Sequence, residues 1–202
     1  MSRNLYLASQ SPRRLDLLRQ VGLSPMVLPL RASPGRADVD ETPLADEPGI
    51  DYVQRMARMK VEAGMLAQQA RHLPSRPILA ADTAVTLDGR ILGKPGDADE
   101  AVAMLRLYAG RTHTVLTAVA VAYQGQIRVG LSESRVTFKT LTEAEIAAYV
   151  ASGEPFDKAG GYGIQGRAAI FIEHLSGSYS GVMGLPLHET AELLREVGFE
   201  VF

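Results

Sequence analysis

The part of the sequence that most constrains the fold is residues 77–95, which read PILAADTAVTLDGRILGKP. Their first apolar run, 78–81, has the length and composition of a strand that is covered on both faces. Asp88 and Gly89 then form a dipeptide typical of a two-residue hairpin turn, with short strands on both sides. We therefore expect a buried strand that turns back on itself within the sheet.

Asp82 is unusual because it follows this apolar run directly. An ionised carboxylate in apolar surroundings costs several kcal/mol unless hydrogen bonds, a cation or a metal compensate. Two interpretations stay open at this point: a hydrogen-bonded structural acid at a strand end, or a catalytic acid. The predicted hairpin also directs Lys94, on the returning segment, towards Asp82.

The overall composition excludes several classes of function. The chain has 202 residues, a net charge of -2 and no cysteine. The weak net charge gives no electrostatic footprint for a nucleic acid polymer or an anionic membrane, and the lack of cysteine excludes disulfides, thiolate metal sites and thiol nucleophiles. No apolar run approaches the roughly 18 residues of a membrane span. The length fits one large domain or two small ones, and we expect a cytoplasmic, soluble protein.

Alternating strand and helix patterns predict an α/β protein with a mixed sheet flanked by helices. A long hairpin of β-branched, alternating residues makes part of that sheet antiparallel. The predicted strands are 5–9, 26–30, 78–82, 85–87, 90–92, 111–123, 127–139, 168–174 and 199–202. The predicted helices are 12–21, 51–72, 97–108, 142–153 and 186–197.

Three cations occupy positions that helix rules disfavour. Ser11 and Pro12 predict a helix start, yet Arg13 and Arg14 fill its first turn, where the helix dipole disfavours positive charge. They either form an anion site with the free amides of the helix end or are two solvated side chains. Lys60 falls within the predicted apolar arc of helix 51–72, whose members are Tyr52, Met56, Met59, Ala63, Leu66, Ala67 and Ala70. It either extends its ammonium to water or has a phosphate or carboxylate partner.

The long segment 31–49 has no periodicity and carries three acids close together: Asp38, Asp40 and Glu41. Such a loop in a compact domain is typically functional or disordered. The acids are either solvated surface charges or oxygen ligands for Mg²⁺ or Mn²⁺. Further on, residues 161–166 match G-x-G-x-x-G, but they lead into a strand and not a helix, which excludes a dinucleotide fingerprint.

Short blocks along almost the whole chain resemble those of the Maf family. They are LASQSPRR (7–14), DE (40–41), YVQRMARMK (52–60), ADT (81–83), GKP (93–95), GRTH (110–113), the turn 157–166, GSY (177–179) and GLPL (184–187). The resemblance implies a cytoplasmic, metal-dependent nucleoside triphosphate pyrophosphatase. It also implies a single inosine-triphosphatase-like α/β domain over residues 1–202, with two lobes around a central cleft, and a homodimer.

The same resemblance implies roles for individual residues. Asp82 corresponds to the catalytic proton acceptor, and Arg13, Thr83 and Gln165 occupy positions that set base preference. This trio resembles the branch that acts on dTTP and UTP, and not the branch that acts on 7-methyl-GTP. We assign Ser9, Ser11, Arg13, Arg14, Lys60, Thr83, Lys94, Lys158 and Gln165 to substrate binding, and Glu41 and Asp82 to a divalent metal, Mg²⁺ or Mn²⁺.

The resulting hypothesis is a hydrolase that cleaves the bond between the α- and β-phosphates of dTTP and UTP. Two alternatives remain at this point. The first is a nucleotide-binding regulator of septum formation that acts through a protein partner. The second is a pyrophosphatase whose targets are modified pyrimidine triphosphates, since one methyl group in an apolar pocket is worth only about 1 to 3 kcal/mol.

Overall fold

The computed structural model describes residues 3–31 and 37–201. The strands are β1 (Asn4–Leu7), β2 (Ser24–Val27), β3 (Ile78–Leu87), β4 (Arg90–Leu92), β5 (Thr112–Tyr123), β6 (Gln126–Phe138) and β7 (Ile172–Ser176). The α-helices are α1 (Pro12–Gln20), α2 (Gly49–Ala70), α3 (Ala98–Tyr108), α4 (Glu143–Ala151), α5 (Tyr179–Met183) and α6 (Leu187–Glu196). None of the helices in these ranges combines the length and apolar character that crossing a membrane requires.

The strands form one mixed sheet in the order β2-β1-β3-β5-β6-β7, with β4 paired to β3 outside this path. β1 pairs in parallel with β2 and β3, whereas β3, β5, β6 and β7 pair antiparallel in turn. The predicted mixed α/β class is therefore confirmed. Asp88 and Gly89 have positive φ angles of 50° and 76° in the turn between β3 and β4, as a two-residue hairpin of this sequence requires.

β3 lies in the middle of the sheet and is buried on both faces, as its apolar run predicts. Ile78 and Ala80 pack into the core beneath α2. Leu79 and Ala81 alternate to the opposite face and pack with residues of α1 and α6. Because a strand has a side-chain period of two, Asp82 shares the face of Ile78 and Ala80, which is the face that α2 covers.

The buried face of α2 differs from the predicted one. Leu66, which we expected in the apolar arc, is 68% exposed. The residues that face the sheet are Val53, Met56, Ala57, Val61 and Gly64. Gly64 decides the orientation: a Cβ there would lie 2.9 Å from Ile78, so its absence lets the helix approach the strand closely. Lys60 lies on this corrected face.

Two further expectations for the second half of the chain were wrong, and one helix was missed. Residues 167–171 form a 3₁₀ turn before β7 instead of a strand, because Ala168 and Phe171, three residues apart, share its buried face. Helix α5 was not predicted. Residues 199–201 form no strand, and Phe202 lies outside the described residues.

An aromatic cluster supports the glycine-rich turn over residues 157–166. Tyr108, His113, Phe138 and Tyr162 have ring centroids 4.4 to 5.9 Å apart. His113 is buried, and its Nε2 is 2.7 Å from the hydroxyl of Tyr162. The cluster therefore fixes the backbone next to Gly163 from beneath.

The burial of His113 predicts a defined loss of stability in acid. Desolvation lowers the pKa of His113 from 6.5 to about 4. Between these values the unfolded chain binds a proton that the folded chain excludes, so stability falls as pH decreases through this window. We expect about 3 kcal/mol of the free energy of unfolding to be lost between pH 7 and 4 through this residue. Urea unfolding across that range should show a loss of stability in His113→Phe that is smaller than the wild-type loss by this amount. An equal dependence of stability on pH in the two proteins would contradict the assignment.

Candidate active site

A cleft of about 1160 Å³ opens where the start of α1, the segment after residue 37, the middle of β3 and the glycine-rich turn meet. All eleven residues predicted from the sequence line it: Ser9, Ser11, Arg13, Arg14, Glu41, Lys60, Asp82, Thr83, Lys94, Lys158 and Gln165. They come from six separate parts of the chain. The fold therefore brings the predicted set together, and the volume is large enough for a nucleotide.

The start of α1 has no side-chain cap, so its first backbone amides are available to a ligand in the cleft. Ser11, at the N-cap, makes no side-chain cap bond and instead donates its backbone N–H to Ser9 Oγ at 3.2 Å. Arg14 donates from Nε to the carbonyl of Gly184 at 2.7 Å, and from its two terminal nitrogens to Ser9 and Thr83 at 3.2 and 3.3 Å. The described chain provides no carboxylate partner for Arg14, and its desolvation lowers the pKa of this guanidinium. An unpaired, half-buried cation of this kind is a suitable site for an anion.

Two further cations meet at one acid of the glycine-rich turn. Arg13 lies 3.5 Å from Asp157, and Lys158 contacts the same carboxylate. Lys158 also donates to the carbonyl of Glu154 at 2.8 Å. Because Asp157 is exposed, these ion pairs are weak, and both cations can exchange Asp157 for a ligand phosphate at little cost.

Lys60 has carboxylate partners, which decides between the two alternatives that the sequence left open for its ammonium. Its ammonium lies 2.7 Å from Asp82 and 2.8 Å from Glu41. The Lys60 and Asp82 side chains are only 14% and 11% exposed. Lys60 is thus the cation that compensates the carboxylate at the end of the buried run, and it draws two acids together at the floor of the cleft. The second oxygen of Asp82 accepts no hydrogen bond within the described residues.

Of the three loop acids, Asp40 and Glu41 line the cleft, but within the described residues only Glu41 contacts Lys60. Asp38 accepts hydrogen bonds from the backbone and guanidinium of Arg31, which lower its pKa. Asp40 accepts the backbone N–H of Thr42 at 2.9 Å. Both are therefore occupied with local loop structure. Within residues 3–31 and 37–201, no group of three or more acidic or histidine side chains is suited to a metal.

Sequence reasoning missed the residues that hold Glu41 in place. Tyr52 donates its hydroxyl to the backbone carbonyl of Glu41 at 3.1 Å. Burial, together with the charges of Asp82 and Glu41, raises the pKa of Tyr52 to about 12. Arg55 makes two 2.6 Å bonds to Glu47 and one of 3.2 Å to the carbonyl of Thr42. The repeat of polar residues on α2 at 52, 55 and 60 was the available signal, since these positions lie on adjacent turns.

Lys94 and Gln165 complete the rim of the cleft. Both are exposed, and neither makes a side-chain hydrogen bond or ion pair within the described part of the chain. The hairpin does bring Lys94 to the cavity that contains Asp82, as expected. Both side chains are therefore available to a ligand without breaking an existing contact.

Comparisons with known proteins find relatives that match this chain over most of its length. The model of the Maf-like protein family matches residues 4–197. The dTTP/UTP pyrophosphatase of Nitrosomonas europaea is 55% identical over 199 residues, which cover 98% of this chain and 96% of that protein. Proteins of the same name from Chromobacterium violaceum and Aromatoleum aromaticum are 53% and 54% identical, covering 98% and 96% of this chain and 96% of each relative. Among solved structures, the Staphylococcus aureus Ham1 protein overlaps 67% of this chain and 71% of its own, with a TM-score of 0.45 and 15% identity.

Proposed function

This chain belongs to the Maf family, and from that premise we propose that it hydrolyses dTTP and UTP to the nucleoside monophosphate and pyrophosphate. It is a nucleoside triphosphate pyrophosphatase that acts on the α-β phosphoanhydride bond. The observation that carries the site assignment is the convergence of five cations on one cleft with a lysine-paired acid at its floor. The cations are Arg13, Arg14, Lys60, Lys94 and Lys158.

The chemistry of this reaction explains why such a site contains more cations than acids. Phosphoryl transfer gains most from charge placed around the phosphates and from positioning of the attacking water. In this proposal Arg14 and the amides at the start of α1 bind phosphate oxygens. Arg13 and Lys158 give up their contacts with Asp157 and bind phosphate oxygens as well. Lys94 approaches from the rim.

Asp82 acts as the general base in the proposed step. A water oxygen attacks the α-phosphorus, one water proton passes to a carboxylate oxygen of Asp82, and the bond to the bridging oxygen breaks. Pyrophosphate leaves with that electron pair. Lys60 orients Asp82, because its ammonium donates to one carboxylate oxygen and leaves the other available to the water.

A divalent cation, Mg²⁺ or Mn²⁺, fits the donor set of Glu41 and Asp82, which we propose as its protein ligands. Their carboxylates converge on one ammonium, and one or two carboxylates together with substrate phosphates are the ligands that Mg²⁺ commonly takes. When bound, the cation would neutralise charge on the phosphate oxygens. Lys60 would then stabilise the two acids from the side of α2.

Gln165 supplies the contact that we propose for the base. Its amide carries one acceptor and two donors, so it can pair with the N3–H and O4 of uracil or thymine. A flipped amide suits cytosine equally well, and nothing in the described residues fixes the orientation of this exposed side chain. Discrimination against cytosine therefore needs a second group of fixed polarity.

A panel of nucleoside triphosphates tests the proposal. We expect dTTP and UTP to exceed CTP, ATP, GTP and 7-methyl-GTP in kcat/KM by about tenfold or more, with monophosphate and pyrophosphate as products. Chelation should lower the rate by about 100-fold, with recovery on adding Mg²⁺ or Mn²⁺. Cleavage of 7-methyl-GTP with neither dTTP nor UTP cleaved would overturn the substrate assignment. Tight binding without pyrophosphate release would favour the regulatory alternative.

The homodimer and the cytoplasmic location implied by the resemblance stay predictions. Sedimentation of the purified chain, at concentrations above and below those used for assays, would test the homodimer.

Modified pyrimidine triphosphates, added to the panel of nucleoside triphosphates, would test whether natural or altered bases are preferred.

A further inference from the structure

Thr117 lies on β5 behind the cleft wall and belongs to no block that pointed to function. It is 1% exposed, and its hydroxyl donates to the carbonyl of Gly181 at 2.8 Å. It faces Thr83 across the β3–β5 ladder, with the two hydroxyl oxygens 3.0 Å apart. Thr83 in turn contacts Arg14, whose Nη2 lies 3.3 Å from Oγ1 of the threonine. A buried hydroxyl that does not line the cavity is therefore linked to a cation that does.

The chemical types of the end groups fix the direction of each hydrogen bond in this series. A guanidinium can only donate, and a carbonyl can only accept. Thr117 has one hydroxyl proton, and the Gly181 carbonyl accepts it, so the proton between the two threonines comes from Thr83. Because this proton is committed to Thr117, Thr83 keeps a lone pair available to Arg14. Thr117 thus makes Thr83 a fixed acceptor for the guanidinium.

A second route joins Thr117 to Arg14 through α5. The carbonyl that Thr117 binds, that of Gly181, lies within this helix. At the residue that ends the helix, the carbonyl of Gly184 accepts from Arg14 Nε at 2.7 Å. Ser178 fixes the start of α5 by accepting the N–H of Gly181 at 2.9 Å. The two routes close a ring in which Thr117 supports two of the acceptors that hold Arg14.

The acceptors of Arg14 leave part of its guanidinium free for a ligand. Besides Thr83 and Gly184, Ser9 accepts from Nη1 at 3.2 Å. Since a guanidinium carries five N–H groups, one N–H on each terminal nitrogen remains without a partner in the described part of the chain. All three acceptors are neutral, so they orient the guanidinium without cancelling its charge.

We propose that Thr117 is a positioning residue that orients Arg14, through Thr83 and through the end of α5, so that the two remaining N–H groups bind phosphate oxygens. The inference rests on the proposed function for the identity of the substrate, and it adds a buried residue that acts at the phosphate end of the cleft. A planar fork binds phosphate well only in the correct orientation. Without the Thr117 hydroxyl, Thr83 can turn its proton towards Arg14, and the Gly181 carbonyl loses one of its donors.

The test is the dissociation constant of pyrophosphate in the presence of Mg²⁺, measured by titration calorimetry on the full chain. Pyrophosphate carries no base and is the proposed product, so its binding needs no turnover. We expect Thr117→Val to weaken binding by about tenfold, the loss of roughly one charge-assisted hydrogen bond. Thr117→Ser keeps the hydroxyl and should stay within about twofold of wild type.

The same titration separates failure of this inference from failure of the proposed function. A wild type that binds pyrophosphate but releases none from dTTP refutes the proposed function, and not the role of Thr117. A wild type that does not bind pyrophosphate overturns the role of Thr117.

A double-mutant cycle distinguishes an effect through Arg14 from a general loss of packing. If Thr117 acts through this guanidinium, adding Thr117→Val to Arg14→Met should weaken pyrophosphate binding by less than about twofold further. Losses that add in the double variant would overturn the proposal. If Thr117→Val does not fold, Thr83→Val removes the same link from the cleft side, and its cycle with Arg14→Met decides in the same way.

Thr190 provides the matched control. It is also 1% exposed and donates to a backbone carbonyl, that of Pro186 at 2.7 Å, but it does not line the cleft. Thr190→Val should lower stability as Thr117→Val does and leave the dissociation constant unchanged. An unchanged constant in Thr117→Val, or an equal rise in Thr117→Ser or Thr190→Val, would overturn the proposal.

Discussion

Asp82→Asn is expected to lower kcat for dTTP by about 10³-fold while leaving the affinity for the nucleotide within a few fold of wild type. The substitution keeps the size of the side chain and its contact with Lys60 but removes the group that accepts the proton from water. Loss of a general base acts on the transition state, so kcat and kcat/KM should fall together. Single-turnover hydrolysis and equilibrium binding of dTTP measure the two quantities separately.

The matched control for this substitution is Asp88→Asn, in the turn that follows the same strand. Asp88 is exposed, pairs with Arg111 at 2.8 Å and lies outside the cleft. Its positive φ of 50° is one that asparagine tolerates. We expect activity within about twofold of wild type, since only an exposed ion pair is lost. Near-normal turnover by Asp82→Asn would remove Asp82 from the mechanism.

Lys60→Met should affect both activity and stability. The ammonium holds Asp82 and Glu41 at 2.7 and 2.8 Å, and methionine leaves the two acids facing each other at the floor of the cleft. We expect kcat/KM to fall by about 100-fold, and the free energy of unfolding by about 1 to 3 kcal/mol, the range for leaving a buried polar group unpaired. Denaturant unfolding and steady-state kinetics check the two effects.

Two further variants isolate the electrostatic cause. Arg58→Met removes a cation from the exposed face of α2, where Arg58 lies 3.7 Å from Glu62, and should change stability by less than about 0.5 kcal/mol. Adding Asp82→Asn to Lys60→Met removes the charge that lost its partner, so the double variant should regain part of the lost stability. If the two substitutions destabilise additively, Lys60 stabilises the fold by packing alone.

The parts of the fold that could be predicted are those that follow from local rules. The Asp88-Gly89 turn needs only its own dipeptide. The starts of α3 and α4 follow from Asp97 and Thr142, whose side chains accept the N–H three residues on. The face of α2 could not be predicted, because it depends on how closely Gly64 approaches a strand whose position is set by the whole sheet.

The site residues also differ in whether a local rule makes them visible in the sequence. Arg13, Arg14 and Lys60 were visible because each breaks a local preference, and all three line the cleft. Thr117 breaks no rule: a threonine in an alternating strand is ordinary, and its partners Thr83 and Gly181 lie 34 and 64 residues away. Residues that act through such distant partners leave no pattern in the sequence around them.

The structure of the Asp82→Asn variant with dTTP bound would test the central claim most directly. We expect the triphosphate against Arg13, Arg14 and the start of α1, the α-phosphate beside residue 82, and the base near Gln165. A second cavity of about 480 Å³ between α2 and the β5–β6 turn contains Arg76 but none of the eleven residues. Nucleotide bound there, or anywhere away from Arg14 and residue 82, would contradict the account.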